Sequence, residues 1–185
     1  MTPSDPKDTT DPTLGDPTWD ALSLALDELE PPSALRARLL ASVDRPAQRF
    51  APFIDRLAAM IDVGVERAQS FLQSIADPSS WTPLLPGVEL MHLEGGASLA
   101  GADVGFVRVA PGVRFPFHHH RGDERVLVLA GQLGDDKGVC AEAGAELFQG
   151  PGTSHSVLST GDSPLIYAVV VYGVEIPGLS IHSED

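Results

Sequence analysis

The sequence contains a single cysteine among 185 residues. One thiol closes no internal disulfide and builds no multi-thiolate zinc site, so a disulfide-stapled scaffold and a zinc finger are both excluded. Basic residues are also scarce: 12 Lys and Arg face 26 Asp and Glu, a formal charge of −14. Neutralising phosphates needs clustered Lys and Arg, so no nucleic-acid partner is expected. No apolar run reaches the roughly 18 residues that a spanning helix needs, so no membrane helix is expected. The opening MTPSDPKDTTDPTLGDP lacks the basic start and apolar run of a signal peptide. The expectation is a cytoplasmic protein.

What is present is a 43% apolar chain with 18 Gly and 16 Pro. The length suits one domain, or one domain with a small appendage, and a chain of this size buries roughly 70% of its unfolded surface. Residues 1–17 are Pro, Asp and Thr with almost nothing apolar and are expected to be disordered. Residues 18–80 read as a helical segment. Helices are expected over 19–29, stopped by Pro31–Pro32; over 34–43, with Ser33 as cap; over 52–61; and after Asp62 as cap, with Ala68, Phe71, Leu72 and Ile75 as the apolar stripe. Asp77–Pro78 closes the last. From residue 81 the texture changes to short Val, Leu, Ile and Phe runs between Gly and Pro turns. Strands are expected at 88–93, 104–110, 115–120, 125–130, 138–140, 146–149, 155–159 and 165–172. Such spacing predicts a mainly β domain over 81–178, a closed barrel or jelly roll, followed by a flexible tail over 179–185.

The chemistry concentrates in Gly112-Val-Arg-Phe-Pro-Phe-His118-His119-His120-Arg-Gly-Asp-Glu124-Arg-Val-Leu-Val-Leu-Ala-Gly131. On a strand, His118 and His120 share a face. Arg121-Gly122-Asp123 reads as a three-residue hairpin turn that sets Glu124 opposite His120 on the returning strand. Two imidazoles and a carboxylate then converge, a set suited to a divalent transition metal. Val126 and Val128 share the Glu124 face, and Leu127 and Leu129 share the other. One face is expected to line the interior and the other to be covered by a helix, a second sheet or another subunit. Later, Gly150-Pro151-Gly152 makes a tight turn and His155 opens the next strand, where a barrel could bring it in as a fourth ligand.

These residues carry a family resemblance. The first stretch resembles the first cupin motif, G-x5-H-x-H-x3-E-x6-G, at every specified position. The second, G-x5-P-x-G-x2-H-x3-N, is matched by Gly144, Gly152 and His155, with Gly150 where Pro is expected and Ser159 in place of Asn. The resemblance implies a cupin-type small β-barrel (double-stranded β-helix, or jelly roll), often paired as a homodimer. Phe115-Pro116-x-His118-x-His120 through Glu124, Leu127-Val128-Leu129-Ala130-Gly131 and Pro151-Gly152-x-Ser154-His155 are similar to the ChrR-like cupin, the C-terminal domain of certain zinc-dependent anti-sigma factors. Residues 31–40 also resemble the helix that follows the sigma-binding domain of anti-sigma factors. The zinc-binding His…His-x3-Cys-x2-Cys set of that domain is missing, since no His precedes His92 and no Cys precedes Cys140.

The resemblance implies a regulatory or sensory, anti-sigma-like protein whose barrel binds a divalent metal through His118, His120, Glu124 and His155, with zinc as the metal. A sigma factor or other protein would meet the N-terminal helices. The alternative is a metal-dependent cupin dioxygenase or related oxidoreductase on a small substrate, using iron, manganese or nickel, with Glu124 as ligand or as a base beside a three-His metal. Arg108, Arg114, Arg125 and Tyr167 are then candidates for substrate contact. The intact ligand set argues against a metal-free sugar-binding or storage-type cupin. His119 is expected on the opposite strand face, His92 and Cys140 in structural roles, and His182 in a polar tail. Leu22, Leu26, Leu35, Leu39, Phe53, Ile54, Phe71 and Leu72 are expected to form either a helical layer on the barrel or a partner groove.

Overall fold

The computed structural model describes residues 31–43 and 49–178. The expected tails, the helix over 19–29, Leu22, Leu26 and His182 lie outside them. The chain divides into two compact units, Met1–Leu40 and Ala41–Asp185. Helix α1, Ser33–Val43, crosses the boundary between them, close to its expected limits, and carries Leu35 half-buried and Leu39 exposed.

In the larger unit a short 3-10 turn, Ala51–Phe53, leads into α2, Ile54–Met60, and α3 follows at Val65–Ser74. The expected stripe of α3 is the buried one: Ala68 and Leu72 are buried, and Phe71 packs beside them. Asp62 does not cap this helix as expected. Gly64 occupies the cap position, and the Asp62 carboxylate turns away to accept from the Ser98 N–H at 3.0 Å.

Eleven strands follow: β1 Thr82–Leu85, β2 Val88–His92, β3 Asp103–Val109, β4 Arg114–His120, β5 Glu124–Ala130, β6 Gln132–Asp135, β7 Cys140–Glu142, β8 Glu146–Gln149, β9 Ser154–Ser159, β10 Leu165–Val171 and β11 Val174–Glu175. They form two antiparallel sheets, ordered β1-β2-β3-β10-β5-β8 and β11-β4-β9-β6-β7. This is a mainly β, jelly-roll arrangement. The strand expected over 138–140 is instead Cys140–Glu142, because Asp135 caps the turn before it: its Oδ1 accepts from the Lys137 and Val139 N–H groups, each at 2.8 Å. That turn joins β7 to β6, a strand too short and polar to stand out in the sequence.

Two cores lie on either side of the first sheet. Leu127, Leu129, Phe106, Ala168 and Val170 face Leu57, Ile61 and Leu72 of the helical layer. Val107, Val126, Val128, Tyr167 and Leu165 face inward and meet Phe115, Leu133 and Val157 of the second sheet. The β5 pattern is explained by this sandwich: Leu127 and Leu129 are covered by helices and Val126 and Val128 line the interior, while Arg125 stays exposed and Ala130, past a register shift, joins the helical side. Phe53, Ile54, Phe71 and Leu72 thus belong to a helical layer on the sheet. Trp81 completes it, donating its indole N–H to the Ile75 carbonyl at 3.1 Å.

Candidate metal centre

The expected hairpin between His120 and Glu124 does not exist. β4 and β5 lie in different sheets, and Arg121–Asp123 carries the chain from one to the other. His120 pairs with Val174, whereas Glu124 pairs with Val171 and Gln149. Both side chains point into the space between facing sheets, so they meet across the interior rather than along one ladder. The crossing is held by a second one: β10 passes to β11 through Tyr172 and Gly173, with the Arg121 N–H bonded to the Gly173 carbonyl at 2.8 Å and the Tyr172 N–H to the Asp123 carbonyl at 2.9 Å. Gly122 is required by this close approach, since a Cβ there would stand 2.5 Å from the Tyr172 carbonyl oxygen.

The histidine pair owes its direction to an irregularity. Phe115 is opposite Val157 and His118 is opposite His155, so β4 spends one residue more than β9 over this stretch. A strict alternation starting from the buried Phe115 would turn His118 outward. The extra residue of this bulge restores the phase. Pro116, which has no N–H to donate to a ladder, sits within it. Phe117 is exposed as a result, and His118 and His120 are both buried. His119 faces outward, as expected, with its ring edge-on to Phe117 at 5.0 Å.

His155 faces His118 directly across the β4–β9 ladder. The structure therefore brings together His118, His120, Glu124 and His155, all four buried, with one candidate ligand atom from each lying within 4.8 Å of the others. His120 Nε2 and His155 Nε2 stand 3.3 and 3.7 Å from the same Glu124 carboxylate oxygen. Donors each about 2.1 Å from one ion lie about 3–4 Å apart, so the spacing fits a shared cation.

The protonation pattern fits as well. The Pro116 carbonyl can only accept, so the 2.9 Å contact from His118 Nδ1 puts that ring's proton on Nδ1. The Thr153 hydroxyl donates to the Gly150 carbonyl at 2.7 Å, which leaves its oxygen to accept from His120 Nδ1 at 2.9 Å. In both rings Nε2 keeps a lone pair. His120 Nε2 and both ring nitrogens of His155 are buried without a hydrogen-bond partner, and buried polar atoms left in this state ask for a ligand. His155 Nδ1 lies 3.8 Å from the Asp135 carboxylate. Burial, only partly offset by the Pro116 carbonyl and Glu124, pushes His118 below its ordinary value and favours the neutral ring. Burial alone would raise the Glu124 carboxyl, but the His120 and His155 rings, whose Nε2 atoms lie 3.3 and 3.7 Å from one of its oxygens, outweigh burial and hold the group at about 2.

Other expectations fare unevenly. His92 ends β2 exposed rather than packed in a structural contact, and Cys140 is exposed. Arg108 pairs with Glu89 at 2.6 Å and stacks over Trp81 at 4.2 Å, and Arg114 donates to the Ser156 hydroxyl at 2.7 Å. Arg125 is exposed. Of the four proposed substrate contacts only Tyr167 is in the interior cavity near the cluster. Sequence reasoning missed Thr153 and Asp135, which orient or face two of the imidazoles. The Asp-Asp-Lys-Gly turn signal at 135–138 marked the place of Asp135; nothing local marked Thr153.

Two facing antiparallel sheets enclosing three histidines and a glutamate define a cupin. The chain belongs to the ChrR Cupin-like domain family, whose model matches residues 71–173. Among solved structures, it is similar to a chain of Rhodobacter sphaeroides SigE in complex with the anti-sigma ChrR, at 18% identity and a TM-score of 0.51, covering 84% of this chain and 75% of that one. An RmlC-like cupin protein of Ralstonia eutropha is 22% identical with a TM-score of 0.45, over 50% of this chain and 62% of that one. An acetylacetone dioxygenase of Acinetobacter johnsonii is 15% identical with a TM-score of 0.47, over 57% of this chain and 79% of that one. No curated protein matches. Among the described residues no helix is long and apolar enough to cross a membrane.

Proposed function

We propose that this protein is a regulatory or sensory metal-binding cupin. In this reading His118, His120, Glu124 and His155 hold a divalent transition metal, with zinc as the favoured ion. The observation that carries it is the buried convergence of these four side chains, with the Nδ1 atoms of His118 and His120 already committed and their Nε2 atoms free. Such a metal supplies a Lewis-acidic centre. The chain's own residues supply the rest: the Pro116 carbonyl and the Thr153 hydroxyl fix ring orientation, the Glu124 carboxylate supplies negative charge, and the two sheets keep the cluster from bulk water. In this reading the described residues up to 80 belong to the helical segment and 81–178 to the barrel of a cytoplasmic homodimer.

The family membership and the fold likeness to a chain from a sigma–anti-sigma complex support a sigma factor as partner, met by the N-terminal helices. Elemental analysis of protein purified without added metal tests the centre: about one metal per chain is expected, and His118→Ala should abolish or strongly weaken its retention. Unchanged stoichiometry in that variant contradicts the site. Pull-down of the full chain from its own cell extract tests the partner, and recovery of no sigma factor removes that part.

One observation favours a second reading, a metal-dependent cupin dioxygenase or related oxidoreductase: an interior cavity reaches His118 and Glu124. Iron-dependent oxygen uptake with a diketone or thiol substrate would support it, and none across a broad panel would count against it.

A further inference from the structure

The interior holds a cavity of about 210 Å³ between the two sheets. Its wall is mostly apolar, with Leu90, Val107, Phe115 and Val169 among the side chains that line it. One end is closed by His118 and Glu124 of the cluster. The Tyr167 phenol also belongs to the lining and is buried, unlike the exposed His92 and Asp103. Tyr167 sits in the middle of β10, between Val107 of β3 and Val128 of β5, and only 4% of it is exposed. Its hydroxyl has no hydrogen-bond partner among the described residues. A buried phenol of this kind ordinarily finds a partner, and the open space in front of it is the place for one.

The size and charge of the space restrict what can enter. An apolar cavity of about 150 Å³ takes benzene, so this one admits a molecule of about six to ten non-hydrogen atoms. No Lys or Arg lines it, while the buried Glu124 carboxylate does, together with the exposed His92 and Asp103. An anion would enter without a counter-charge from the protein's basic residues. A cation would compete with the metal and three imidazoles for Glu124, and the exposed Asp103 carboxylate is screened by water.

We propose that this cavity binds a small, uncharged, mainly apolar molecule with a single carbonyl or hydroxyl oxygen, and that Tyr167 selects it by hydrogen-bonding that oxygen. As the ligand sensed by the centre it rests on the regulatory reading above, but its binding is measurable whether or not metal is present. The role of Tyr167 is one of specificity: the apolar wall gives affinity, and the phenol chooses among molecules of equal shape.

The test uses the full chain, metal-loaded and metal-stripped, with metal content measured on the same samples. Saturation-transfer NMR titrations compare cyclohexanone with methylcyclohexane, cyclohexanecarboxylate and cyclohexylammonium. Cyclohexanone is expected to bind saturably. Tyr167→Phe is expected to weaken it about 3- to 10-fold, the worth of one neutral hydrogen bond, and to leave methylcyclohexane unchanged. Val169→Phe, which fills the space, is expected to remove both. Absence of saturable ketone binding in either form, equal ketone binding by wild type and Tyr167→Phe, or tighter binding of either charged probe overturns the proposal. Ketone binding by a protein that takes up no metal even when metal is supplied would sink the metal centre and leave the cavity assignment standing; metal uptake without ketone binding does the reverse.

Discussion

Thr153→Val isolates how the protein prepares His120 for a metal. Valine has nearly the shape of threonine, so little cavity is created, but the oxygen that accepts from His120 Nδ1 at 2.9 Å is gone. In the metal-free protein the ring has an escape: its proton can move to Nε2 and point at Glu124, 3.3 Å away. The Gly150 carbonyl also loses the hydroxyl bond at 2.7 Å but keeps the residue 153 N–H at 3.3 Å, so the stability cost is modest, about 1–2 kcal/mol, the net worth of one or two ordinary hydrogen bonds. Metal binding closes that escape. The ion needs the Nε2 lone pair, the proton must return to Nδ1, and Nδ1–H is then buried with no acceptor. Loss of such an outer partner typically costs 10- to 100-fold in metal affinity, about 1.4–2.8 kcal/mol. Competition titration against a chromogenic chelator should show this loss, while thermal unfolding of the stripped protein shows only the modest cost of the lost hydroxyl bonds. Thr153→Ser, which keeps the hydroxyl, should restore most of the affinity. Unchanged affinity in Thr153→Val, or an equal loss in the serine variant, would refute the tautomer argument.

Gly122→Ala should force the two inter-sheet crossings apart, because its Cβ would also meet the Tyr172 Cβ at 2.6 Å; about 1–3 kcal/mol of lost stability in urea unfolding is expected, and no loss would show slack in the crossing. Leu127→Ala, at a fully buried site between the helices and the first sheet, should cost about 2–5 kcal/mol, whereas Phe148→Ser, 60% exposed on β8, should stay within about 0.5 kcal/mol; comparable losses in both would contradict the two-core description. The stripped protein should lose stability as pH falls. His118 is held below its ordinary value of 6.5, so beneath that pH the unfolded chain takes up a proton that the folded chain resists. The Glu124 carboxyl is held at about 2 against 4.5, so its contribution, full above 4.5, fades as pH falls toward 2. Thermal midpoints measured from pH 8 to 4 should be level above about 6.5 and decline below; a level profile throughout would contradict both shifts.

The local patterns in the chain were sufficient for several features. Period-2 alternation and Gly–Pro punctuation located seven of the strands to within a residue or two, with an eighth displaced to Cys140–Glu142. Helical spacing marked the buried stripe of α3. Residue type and interval singled out His118, His120, Glu124 and His155, because an imidazole pair two apart on a strand shares a face whatever the rest of the fold does. Local pattern also separated the two apolar faces of β5.

What local pattern could not decide was which strands pair. A three-residue connection between apolar runs reads as a hairpin, yet Arg121–Asp123 crosses between sheets, since pairing energy comes from partners far away in sequence: β10 and β8 for β5, β9 and β11 for β4. The same holds for the bulge that turns His118 inward, for the meeting of His118 with His155, and for Thr153 and Asp135 beside the imidazoles. Tyr167 was one of four candidate contacts by residue type, and only the facing sheet, which encloses a cavity beside it, set it apart from the three arginines. Ligand identity is written in side-chain chemistry, which the sequence carries directly. Ligand convergence and the cavity beside it depend on the separation of two sheets, which only long-range packing determines.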